Sequence, residues 1–261
     1  MPSPDFGRTA VDYRRYRAGF PDRLVDDLQR HGVGLNHQDV VDVGTGTGTL
    51  ARLLEPHVAS VRGVDPAEAL LVEARDLDDA AGVSVEYSVG TAESTGLATG
   101  SADVVTAGQC WHWFDAGTAT RELGRVLRPG GQLVIAHFDW LPLPGNVVEA
   151  TERLILEANP AWTMSGQTGL YPRWLTDLRT AGYRDVRTFS FDSDVPYVPD
   201  AWVGRVRASA GIGGSLPDAE VTRFSDRLSE TLQSWPGREL LVPHRTWAVL
   251  ARRGPQEGAG Q

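Results

Sequence analysis

Residues 40–50 read VVDVGTGTGTL, and no other stretch constrains the chain as much. Val40–Val43 has the composition of a strand buried on both faces. Gly44, Gly46 and Gly48 follow at alternate positions, and TLARLLEP then reads as a helix. Strand, glycine turn and helix, in that order, open a βα unit. A turn without side chains lets backbone come close to a ligand.

The alternation continues downstream. SVRGVD, VSVEYSV and ADVVTAG read as the second, third and fourth strands, with helices in PAEALLVEARDL and TATRELGRVL. Gly130 and Gly131 open a fifth strand, QLVIAHF. Strands alternating with helices imply a parallel sheet covered on both faces, with right-handed crossovers. Beyond His137 the pattern changes. A loop carries Pro142, Pro144 and Gly145, and helices are expected in NVVEATERLILEA and YPRWLTDLRTAG. A strand, YRDVRTFSFD, a helix-rich insertion near residues 199–235 and a last alternating strand, HRTWAVLARR, complete the chain. We therefore expect an N-terminal helical segment over the ligand site (1–36), a ligand-binding core (37–138), substrate-side helices with the last two strands (139–253), and a disordered Gly-rich tail (254–261).

Charge and composition narrow the function. The formal charge of -9, with no basic tract, argues against a nucleic-acid partner. No apolar run approaches the roughly 20 residues a membrane helix needs. The charged N-terminus has no apolar core of a secretory signal, and Cys110 stands alone, so a cytoplasmic location is expected. No Cys/His cluster suggests a metal. All 25 basic side chains are Arg, so no lysine serves as base or Schiff-base former.

The turn also says something about its ligand. A dinucleotide fingerprint would be G-x-G-x-x-G, but Thr49 occupies the third glycine position. Asp42 precedes the turn, where a carboxylate would repel pyrophosphate and suit a cation. Asp65 lies about 20 residues beyond Gly44, where an acidic side chain accepts from ribose hydroxyls. A ribose joined to a positive, non-phosphate group meets this specification, and S-adenosylmethionine is such a molecule.

The segments DVGTGTG (42–48), GVDP (63–66), GTAES (90–94), ADVVTAGQCWHWFD (102–115) and LRPGGQLVI (127–135) resemble a class I S-adenosylmethionine-dependent methyltransferase of the type 11-like, small-molecule kind. The resemblance implies an α/β, Rossmann-like doubly wound sheet of seven strands, the last antiparallel, with a helical cap over the substrate site. It also implies the cofactor contacts. Gly44, Thr45 and Gly46 would bring backbone to the methionine part, and Asp42 would reach its amino group. Asp65 would take the ribose hydroxyls, with Pro66 against adenine. Ala92 and Glu93 match the segment that meets adenine, and Gln109 and Trp111 would line the floor near the sulfonium. Tyr16 and Arg17 resemble a Tyr-Arg element facing the cofactor carboxylate.

Methyl transfer is an in-line displacement at carbon, so the protein must mainly align the reactants and exclude water. A base is needed only if the acceptor carries a proton. His112 is the leading candidate and His137 the next. Trp113, Trp140 and Arg205 are candidates for holding a small-molecule acceptor. AWVGRVRASAGIGGSL (201–216) reads as a lid on a glycine hinge. The rival readings are a binding or cyclisation protein of the same fold, a protein or RNA methyltransferase, and an NAD-dependent oxidoreductase.

Overall fold

The computed structural model describes residues 15, 16 and 18–254; Arg17 and residues 255–261 of the tail lie outside the described residues. Seven strands form one sheet: β1 (Asp39–Val43), β2 (Ser60–Asp65), β3 (Glu86–Val89), β4 (Ala102–Gly108), β5 (Leu127–Trp140), β6 (Arg184–Tyr197) and β7 (Leu240–Arg252). Their order is β3-β2-β1-β4-β5-β7-β6. The sheet is mixed, with one antiparallel strand, as expected. β1 runs parallel to both neighbours, with Asp42 opposite Gly63 of β2 and Thr106 of β4.

The helices are α1 (Arg23–Arg30), α2 (Thr49–Leu54), α3 (Glu68–Ala81), α4 (Ala116–Val126), α5 (Val147–Ala158), α6 (Arg173–Thr180), α7 (Pro199–Arg207) and α8 (Asp218–Gln233). Their limits follow from local chemistry. Asp115 caps α4 by accepting from Thr118 N at 2.7 Å. Asn146 caps α5 through Glu149 N, and Glu149 reaches back to Gly145 N at 2.7 Å, a near relative of the capping box. Gly82 ends α3 in the left-handed region.

The fifth strand begins at Leu127, ahead of the glycine pair. Its register on β4 jumps from Ala102↔Leu127 to Val104↔Gln132, so the intervening Arg-Pro-Gly-Gly is accommodated as an irregularity inside the strand.

The chain divides into two compact units, each assembled from separated stretches. The first holds Gly19–His137, Tyr171–Ser190 and residues 246–254. Its core is built by inward residues of the central strands, such as Val41, Val105 and Ile135, with Leu123 of α4 and Trp247 of β7. Of the described residues, the second holds 15, 16 and 18, Phe138–Leu170 and Phe191–Arg245. Its core gathers Ile155 of α5, Trp202 and Val206 of α7, and Phe224 and Leu228 of α8.

The Gly/Ser stretch within residues 201–216, read as a lid hinge, is packed in this structure. Ile212 is fully enclosed, Gly211 O accepts from Asn159 Nδ2 at 2.8 Å, and Gly213 N donates to Arg207 O. Packing overrides the local flexibility that Gly and Ser would otherwise bring. Among the described residues no helix is long and apolar enough to cross a membrane.

Candidate cofactor cleft and acceptor wall

The sheet's parallel strands end together, and β1, β2, β4 and β5 each deliver candidate residues there. Asp42 is 1% exposed. Its oxygens accept from Thr45 Oγ1 at 2.7 Å and Thr106 Oγ1 at 2.6 Å. The bond to Thr106 exists because β1 and β4 are neighbours in register. Burial pushes the Asp42 carboxyl up to about 6, outweighing the pull of the Thr106 and Thr45 hydroxyls.

Asp65, at the end of β2, is also buried. One oxygen accepts Gly46 N at 2.8 Å and the other Ala67 N at 2.9 Å. It thus holds the glycine turn and makes an Asx-type turn into α3, whose cap position is Ala67. Burial raises its carboxyl too.

The three glycines differ. Each has positive φ, but a side chain on Gly44 would come within 2.8 Å of Cys110 Sγ, and one on Gly48 would run into Tyr87 Oη. At Gly46 nothing lies within 4 Å. Gly44 and Gly48 are therefore required by the protein's own packing, whereas Gly46 faces open space. Gly48→Ala should cost about 2–3 kcal/mol, from a left-handed backbone and a displaced Tyr87. Urea unfolding measures this, and a loss under about 0.5 kcal/mol would show that Tyr87 yields freely.

Asp42→Asn makes a separate prediction. The folded chain holds the Asp42 proton more tightly than an unfolded chain does. Its contribution to stability is therefore present below the ordinary 3.8 and lost as pH rises to about 6. The size is roughly 3 kcal/mol. The difference in unfolding free energy between wild type and variant should change by this order between pH 4 and pH 6. A constant difference would assign the titration elsewhere.

The remaining candidates of the first unit fall beside this turn or beyond β4. Pro66 is exposed at the entry to α3, and Ala92 is buried. Glu93 accepts from Asp115 N at 2.9 Å, tying the loop after β3 to the start of α4. Gln109 has φ +65, rare outside glycine, and its N–H donates to Ala136 O of β5 at 2.8 Å. Trp111, His112 and Trp113 form a single 3-10 turn. Trp111 is 2% exposed and enters the core, and Trp113 is 41% exposed. The alternating directions of this turn put His112 between them, half-buried.

His137 follows Ala136, the register partner of Gly108. That register brings its ring 5.2 Å from that of His112, edge to face. His137 is buried against Tyr171 at 4.8 Å and Trp174 at 4.9 Å, and those two rings stack 4.3 Å apart. The sequence analysis singled out neither Tyr171 nor Trp174. The spacing of the two, three residues apart across the entry to α6, was the available signal.

Tyr16, Trp140 and Arg205 belong to the second unit. Tyr16 packs where a side chain on Gly204 would stand. Trp140 Nε1 donates to Glu152 Oε1 at 2.9 Å, and the Arg205 guanidinium lies 4.8 Å from the Trp140 ring centroid. His244 is buried in the same unit, stacked on Phe138, with Nδ1 2.9 Å from Val242 O. Arg17 is outside the described residues.

A seven-stranded mixed sheet in this order, with helices between β1 and β2, β2 and β3, and β4 and β5, is a Rossmann-like α/β fold. A family model described as "Methyltransferase domain" matches residues 41–135. An uncharacterized methyltransferase of Mycobacterium tuberculosis is 37% identical over 131 residues, covering 50% of this chain and 51% of the relative; the chain thus spans about half the length of that relative. The methyltransferase YcgJ of Bacillus subtilis is 34% identical over 184 residues, covering 69% of this chain and 67% of the relative. The crystal structure of YcgJ aligns with TM-score 0.59 at 20% identity, covering 90% of this chain and 99% of that one. Phosphoethanolamine N-methyltransferase 2 of Haemonchus contortus, solved with phosphomonomethylethanolamine and S-adenosylhomocysteine, aligns with TM-score 0.56 at 17% identity, covering 94% and 57%. The chain belongs to the class I S-adenosylmethionine-dependent methyltransferase family.

Proposed function

We propose that the protein binds S-adenosylmethionine on its glycine turn and passes the methyl group to an oxygen, nitrogen or carbon of a small-molecule acceptor. One observation carries this reading: Gly46 faces open space, and its own N–H is held by Asp65 while Asp42 braces the same turn through Thr45. Both carboxyl groups are buried, and among the described residues they accept from hydroxyl and amide donors. A cationic ligand supplies the charge that this pair lacks.

When bound, the cofactor supplies an electrophilic methyl group on a positive sulfur. The chain's own groups bind, orient and move the proton. Asp65 takes the ribose hydroxyls, with Pro66, Ala92 and Glu93 toward adenine. Gly44, Thr45 and Gly46 present backbone to the methionine part, and Asp42 favours its ammonium. Gln109 holds the chain turned beyond β4 so that His112 faces the acceptor. An imidazole nitrogen of His112 takes the acceptor's proton where it has one. His137, fixed by Tyr171 and Trp174, backs that ring, and exposed Trp113 gives the acceptor an apolar face. The acidic balance supports a small molecule over a nucleic acid.

Calorimetry with S-adenosylmethionine, S-adenosylhomocysteine and NAD tests the cofactor. Asp65→Ala should weaken S-adenosylhomocysteine by about 1–3 kcal/mol, through lost charge-assisted hydrogen bonds. Unchanged affinity would remove Asp65 from the ribose site, and preference for NAD would overturn the reading. A methyl-transfer screen over phenols, carboxylic acids and amines identifies the acceptor class.

A further inference from the structure

Helix α5 has two working faces. Val148, Leu154 and Ile155 enter the core of the second unit. Glu149, Glu152, Arg153 and Leu156, at i, i+3, i+4 and i+7, line a cavity of about 750 Å³ within that same unit. This volume lies in the range of roughly 300–1,000 Å³ for small-molecule sites. Leu141 and Leu143 add an apolar border, and Leu143 is exposed although large and apolar.

The charges of the wall are unevenly satisfied. Arg245 is fully occupied: Nε and Nη2 grip the Asp192 carboxylate at 2.7 and 2.8 Å, and Nη1 donates to Thr168 O at 3.0 Å. Glu157 pairs with Arg227 at 2.6 Å. Glu152 differs from both. It is 3% exposed, and its carboxylate receives Trp140 Nε1 at 2.9 Å, Ser165 Oγ at 3.0 Å and Gly166 N at 2.8 Å. Those donors are all neutral, and no cation among the described residues pairs with it. They fix the carboxylate in place without neutralising it. A buried carboxylate held this way draws a counter-charge from whatever enters the cavity. Glu149 adds a second acidic group one turn earlier, while Arg153 is exposed and screened by solvent.

We propose that this cavity binds an organic ammonium ion bearing an apolar chain or ring, with the nitrogen toward Glu152 and Glu149 and the apolar part on Leu141, Leu143 and Leu156. The site needs no cofactor, so its test is independent of methyl transfer.

Titration calorimetry of the full chain with hexyltrimethylammonium, and with heptanoate as the anionic control, tests it. The cation should bind saturably at one site and heptanoate should not. Glu152→Gln should weaken the cation roughly tenfold or more, and Glu149→Gln by a smaller factor. Glu149 and Leu143 are exposed, so Glu149→Gln and Leu143→Ser remain informative if Glu152→Gln fails to fold. Equal binding of cation and carboxylate, absence of saturable cation binding, or affinity unmoved in the folded Glu149 and Leu143 variants would overturn the proposal.

Discussion

His112→Ala is expected to slow methyl transfer to a protonated acceptor by about 10²–10⁴-fold, the usual contribution of a positioned general base. Affinity for S-adenosylhomocysteine should stay within about twofold, because His112 sits beyond β4 and the cofactor's proposed charge partners are Asp42 and Asp65. The variant should also lose the limb of the pH–rate profile that a base contributes. Two features motivate this proposed role. A 3-10 turn presents it between a core Trp111 and an exposed Trp113, and His137 meets its ring edge-on at 5.2 Å. Wild-type turnover with an unchanged pH profile would reduce the ring to scaffolding. His112→Gln separates size from basicity, because it keeps a polar side chain of similar reach without the base.

Trp202→Ala is expected to cost about 3–5 kcal/mol of stability. Trp202 is fully buried in the second unit, and its Nε1 donates to Thr151 Oγ1 at 3.0 Å. Trp140 and Tyr197 both pack edge-on against it, at 5.3 and 5.2 Å. Removing the indole leaves a cavity that α5, α7 and α8 cannot close without shifting. Trp202→Phe keeps most of the volume and loses the hydrogen bond, so its cost should be smaller, about 1–3 kcal/mol. Urea unfolding followed by circular dichroism measures both. A loss below about 1 kcal/mol for the alanine variant would mean that this core does not depend on Trp202.

The glycine turn proposed for the cofactor was more legible than the wall proposed for the acceptor. Gly44, Gly46 and Gly48 stand at alternate positions of one short turn, and each takes a positive φ there; the crowding by Cys110 at Gly44 and by Tyr87 at Gly48 comes from distant parts of the chain. Asp42 and Asp65 were placed by the ends of two strands that periodicity alone marks out. The partners of these groups were less visible. Thr106 reaches Asp42 from 64 residues away because β4 lies beside β1, and strand order is not written in local periodicity. His137 meets His112 for the same reason, through the register of β5 on β4. Tyr171 joins them from 34 residues further along the chain than His137.

Local chemistry by itself determined the strand–turn–helix opening, the alternation of elements as far as β5 and the two acidic groups at the turn, because each depends on neighbours along the chain. Only the tertiary structure decided which glycine faces open space, that the Gly/Ser stretch after α7 is packed, and that Glu152 is buried among neutral donors. Those outcomes depend on side chains brought together across long separations, where packing outweighs the preferences of any short segment.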